Sequence, residues 1–140
     1  MRRIFFVLAL CLPTAVIATA PMTPPKELDA ARKALVAAIM ARDVNAAASL
    51  SNFPLAVDMY RSPPTLTKKA FLAKETVFIE YFGDGDKGIL ACIGSGPLAY
   101  QGDKTQFGAN SWFADCNGNE YYFGLRGGKW LFTAYQNINE

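Results

Sequence analysis

The chain has 140 residues, with 14 basic and 12 acidic side chains, 51% hydrophobic residues and no histidine. That length fits one domain. The missing imidazole excludes Ser-His-Asp and Cys-His catalysis and most zinc sites, and the near-balanced charge leaves no basic stripe for a nucleic-acid partner.

The first stretch has the layout of a secretory signal peptide. Met1-Arg2-Arg3 is positive, residues 4–12 are apolar, and small residues follow at Ala18 and Ala20. Cleavage after Ala18 gives a leader over residues 1–18 and one domain over residues 19–140. Residues 4–20 are short for a membrane span and carry Pro13, so no stable membrane anchor is expected after cleavage. Removing Arg2 and Arg3 from the 14 basic side chains leaves them equal in number to the 12 acidic ones. An exported, periplasmic or secreted protein with two remaining cysteines, Cys92 and Cys116, is a disulfide candidate. Two buried thiols are the alternative, because free cysteine packs as a small hydrophobe.

Thr23-Pro24-Pro25 opens the first helix, with Thr23 as cap and proline in the first turn. Leu28, Ala31, Leu35, Ala38 and Ile39 repeat at helical spacing. Asp43 caps a second helix over residues 44–50, which Asn52-Phe53-Pro54 ends. A strand is expected over residues 55–60. Thr67 caps a third helix over residues 68–82, whose apolar set includes Phe71, Val77, Phe78 and Phe82. After a turn at residues 83–86, residues 87–93 read as a strand that Gly94-Ser95-Gly96-Pro97 interrupts. A short strand over residues 98–101 turns at Gly102-Asp103. Asp84-Gly85-Asp86 resembles the start of a calcium loop, but Gly88 and Ile89 stand where an oxygen ligand and the turn glycine belong. A solvated turn is the expectation, and no metal or cofactor is implied.

The carboxyl-terminal part reads as two tight hairpins. Strands over residues 106–116, 120–126 and 129–136 are joined by Asn117-Gly118 and Gly127-Gly128, which supply the positive φ angles of two-residue turns. These strands carry large aromatics on both faces, including Phe107, Trp112, Phe113, Tyr122 and Trp130. A sheet with one wet face alternates apolar and polar instead. The second face therefore meets another chain, lines a pocket, or belongs to a core that the sheet curls around.

Helices ahead of a curled antiparallel sheet make an α+β domain. The paired N-terminal helices, Phe53-Pro54-Leu55-Ala56-Val57 before Thr67-Lys68-Lys69-Ala70-Phe71, and Gly108-Ala109-Asn110-Ser111-Trp112-Phe113 ahead of the closing strand resemble the nuclear-transport-factor-2-like superfamily. Its members include ketosteroid-isomerase-like and polyketide-cyclase-like proteins. The resemblance implies N-terminal helices packed on a curved antiparallel sheet that forms a cone. It leads to a non-catalytic exported binding module with a small apolar or amphipathic ligand in the cone. Candidate ligand-binding residues are Tyr60, Asn110, Trp112, Tyr122, Tyr135 and Gln136. One alternative is a homodimer or partner-binding module that uses the aromatic sheet face. Another is a cofactor-free isomerase or cyclase, for which Asp58, Asp115, Tyr60 and Tyr81 supply the residue types.

Overall fold

A computed structural model describes residues 22–57, 64–105 and 107–139. The signal-peptide segment, Asp58 and Tyr60 lie outside those residues. Among the described residues the fold is α+β, with five α-helices and one open six-stranded sheet. Helices α1 (Lys26–Met40) and α2 (Val44–Ser49) lead into β1 (Ser51–Val57) and β2 (Thr65–Leu66). Helices α3 (Lys68–Ala73) and α4 (Val77–Phe82) follow, then a 3-10 turn (Gly83–Gly85) and α5 (Lys87–Ser95). Strands β3 (Ala99–Thr105), β4 (Gly108–Cys116), β5 (Asn119–Arg126) and β6 (Lys129–Asn137) complete the chain.

The strand order is β2-β1-β6-β5-β4-β3. The run from β3 to β6 is antiparallel throughout. The sheet as a whole is mixed rather than antiparallel, because β1 lies parallel to β6, with Val57 opposite Tyr135. This pairing joins the two ends of the domain. It is seeded where the Phe132 amide donates to the Leu50 carbonyl at 2.9 Å. Both hairpin turns form as their residues dictate. Asn117 and Gly118 sit at φ 59° and 82°, and Gly127 and Gly128 at 55° and 77°.

Helix starts follow local capping chemistry. Asp43, Thr67 and Asp86 each accept a hydrogen bond from the backbone N–H three residues on, a contact worth about 1 kcal/mol. At α1 the cap position is Pro25, not Thr23, and the helix begins at Lys26.

Four further expectations are corrected. Residues 87–93 are the helix α5, not a strand. The apolar run Ile89-Leu90-Ala91-Cys92-Ile93 suits either state, and the Asp86 cap and the packing of Gly94 against Val36 select the helix. The single helix over residues 68–82 is two, because Lys74 takes extended geometry; the β-branched pair Thr76-Val77 lowers helix propensity there. Pro54 does not end a helix but lies inside β1, at an irregularity in the β1–β6 register, where a missing N–H is tolerated. Finally, Gly102 and Asp103 do not turn the chain. They lie within β3 at a register shift, where glycine accommodates a bulge.

One apolar cluster contains Leu28, Leu35 and Ile39 of α1, Phe71 of α3, Phe82 of α4 and Ile93 of α5, together with Trp112, Tyr121, Phe123, Phe132 and Tyr135 of the sheet. The opposite sheet face carries a smaller cluster of Phe107, Tyr122 and Ala134, against which Phe113 packs. Period-two alternation along β5 explains the division, since Tyr121 and Phe123 point one way and Tyr122 the other. Gly124 is required on that second face. A Cβ there would lie 2.4 Å from the Phe107 carbonyl oxygen.

Candidate functional site

Of the residues expected to line a cone pocket, the five that are described divide between the main core, the opposite sheet face and the surface. Trp112 and Tyr135 lie in the main core, 3% and 4% exposed. Their layer is filled by aromatic rings. Tyr135 meets Tyr81 edge-on at 5.5 Å and Tyr121 at 5.4 Å, and Trp112 meets Tyr100 at 4.9 Å. The Tyr135 hydroxyl donates to Asn119 at 2.7 Å. Tyr122 lies on the other face, tilted against Phe107 and stacked on Phe113, and its hydroxyl donates to Glu120 at 2.5 Å. Asn110 is exposed at φ 48° in a β4 irregularity, and Gln136 is half-buried near the end of β6. Tyr60 falls outside the described residues.

Of the groups named for isomerase chemistry, the two described, Asp115 and Tyr81, lie in different environments. Asp115 is exposed and accepts from the Gly118 amide at 2.8 Å, which holds the hairpin turn. Tyr81 is buried in the main core. Asp58 and Tyr60 are not described. Asp84 and Asp86 have separate roles: Asp84 pairs with Arg42, and Asp86 caps α5. Among the described residues no group of three or more metal-binding side chains occurs.

Cys92 and Cys116 form a disulfide, S–S 2.00 Å, that ties α5 to β4. It is consistent with an oxidising compartment. Among the described residues no helix is long and apolar enough to cross a membrane.

A hollow lies between helices. Helix α1 runs antiparallel to α5. Arg32 reaches Ile93 and Gly96 at one end, Val36 abuts Gly94, and Arg42 pairs with Asp84 at the other end. These contacts frame a groove of about 580 Å³, within the range of small-molecule sites. Val36, Ile39, Phe78, Leu90, Ala91 and Gly94 give it an apolar lining, and Lys33, Arg42, Lys87 and Asp84 line it as charged groups. Met40, another lining residue, is 70% exposed. The walls follow from sequence: positions 33, 36 and 40 share one face of α1, and 87, 90, 91 and 94 one face of α5, at helical spacing.

The α1 wall is fixed to the C-terminal end of α5 by Arg32. Its Nε donates to the Ile93 carbonyl at 2.6 Å, and Nη2 donates to Cys92 and Gly96 at 3.0 and 2.8 Å. Burial lowers the Arg32 pKa, and the charge and hydrogen bond of Asp29 act in the opposite direction. Reading residues 87–93 as a strand hid the groove. Gly94, where an added Cβ would lie 3.2 Å from Val36, is the sequence signal for the close helix contact.

No known protein family, curated protein or solved structure matches this chain.

Proposed function

We propose that this is an exported, non-catalytic binding module that takes a small amphipathic ligand, held in the groove between α1, α4 and α5. The carrying observation is the groove itself: 580 Å³, apolar along its length and charged at its rim. That combination matches small-molecule sites, which are mostly apolar with a few orienting polar groups. The reading moves the ligand from the sheet interior, where aromatic rings occupy the space, to the helical side.

Kinship with the nuclear-transport-factor-2-like superfamily, with the helices set on a curved, cone-forming sheet, is part of the proposal. It is supported by the paired helices α1 and α2, by Phe53 to Val57 lying in β1, by Thr67 capping α3, and by Gly108 opening β4. Export is supported by the leader-like residues 1–18 together with the disulfide. A partner-binding role for the second sheet face has less support, because Phe107 and Tyr122 are already buried against their neighbours.

The test is titration of the mature protein with an uncharged apolar fluorophore, beside native mass spectrometry for retained small molecules. Saturable binding is expected. Ala91→Trp, which fills the groove from an exposed helical position, is expected to abolish it while circular dichroism stays unchanged. Undiminished binding in Ala91→Trp overturns the groove as the site.

A further inference from the structure

The groove is not symmetric in charge. Lys33 stands at one end of the α1 wall, and the end of that helix lies seven residues on, about 10 Å at the α-helical rise. At the far end Arg42 extends from the α1 side and Lys87 from the first turn of α5. One carboxylate, Asp84, is already seated between the walls, paired with Arg42. Among the described residues no ion pair forms at Lys33 or Lys87.

We infer that the ligand is a single-chain amphiphile with an anionic head, and that Asp84 occupies the head-group position on Arg42 until the ligand displaces it. This rests on the groove being the binding site. Three observations carry it. The Arg42–Asp84 pair is more than half exposed on both sides, and exposed pairs are weakly held. Arg42 presents a planar fork suited to a carboxylate or phosphate. The backbone on both sides of the pair is left-handed, at φ 50° for Arg42 and 54° for Asp84, each just past a helix end, so both side chains leave the chain at the mouth of the groove rather than from a helix face. An incoming anion brings an apolar chain that Asp84 lacks. It exchanges one weak exposed pair for another and adds burial along Val36, Ile39 and Leu90.

The experiment is calorimetric titration of the mature protein with decanoate and with decanol, which share a chain and differ in the head. Decanoate is expected to bind roughly tenfold more tightly, with the preference shrinking as salt rises. Arg42→Asn, which tolerates the left-handed backbone, is expected to bring the preference close to one. Asp84→Asn removes the competing carboxylate and is expected to tighten decanoate by about two- to five-fold, the scale of an exposed ion pair. Equal binding of the two probes, or weaker decanoate binding in Asp84→Asn, overturns the head-group assignment and leaves the groove standing. Failure of both probes to bind rejects the groove and the head-group assignment together.

Discussion

Arg32 and Ile93, 61 residues apart in sequence, are joined by a buried hydrogen bond of 2.6 Å from the guanidinium Nε to the carbonyl oxygen. With that of Gly96, this carbonyl lies at the end of α5, where helical backbone donors run out; the Cys92 carbonyl, also bonded by Arg32, accepts in addition from the Gly96 amide at 2.9 Å. A cation at that end also faces the negative pole of the helix. One side chain thus bonds three carbonyls and sets the distance between two helices.

Replacing Arg32 by Met therefore removes the guanidinium partner of the Ile93 and Gly96 carbonyls, while Cys92 keeps the Gly96 amide. A loss of about 2–3 kcal/mol is expected, read as a lowered urea midpoint. Arg32→Lys should recover only part of it, because an ammonium cannot span the three acceptors as a fork does.

The disulfide closes a loop between Cys92 and Cys116, a separation of 24 residues. Constraining the unfolded chain over that length contributes about 3 kcal/mol. The Cys92→Ala/Cys116→Ala double variant should show that loss against the oxidised protein. The reduced wild-type protein should fall close to the variant.

Gly124→Ala places a methyl group against the Phe107 carbonyl on the second sheet face. Backbone cannot give way as a flexible side chain can, so a cost of about 1–3 kcal/mol is expected. Thermal unfolding monitored by circular dichroism measures it.

Alkaline pH should destabilise the fold through two tyrosines. Burial raises the Tyr121 pKa, aided by Tyr135. Burial also raises that of Tyr122, aided first by the Glu120 hydrogen bond and then by the charges of Glu120 and Asp115. A raised folded-state pKa means that the unfolded chain releases its proton first. The stabilisation is whole below the unfolded value near pH 10 and declines as pH climbs above it. Stability measured by urea unfolding from pH 8 to 11 should fall above about pH 10, and Tyr121→Phe should flatten the decline. A pH-independent urea midpoint across that range would contradict the assignment.

What the sequence made legible was local. Asn117-Gly118 and Gly127-Gly128 specify their turns within two residues, and Asp43 and Thr67 announce their helices by a contact three residues long. What stayed hidden depends on distant partners. The run at residues 89–93 carries no decisive period, and its helical state becomes evident only beside Val36 and Arg32. The parallel pairing of β1 with β6 joins segments about 80 residues apart, and nothing in either strand names the other. Of the residues proposed for a pocket, Trp112, Tyr122 and Tyr135 were recognisable as sheet aromatics. The register shift between Ala109 and Trp112 and the alternation along β5 decide which of them share a face. The groove draws its walls from two helices, one of which read as a strand.

The disulfide at Cys92 and the Arg32 clasp beyond it both restrain α5, and neither acts on the Gly83–Gly85 turn. Helix α5 is consequently anchored at its far end to both the sheet and α1, and the Arg42–Asp84 rim lies at the opposite end of the cleft, outside both restraints.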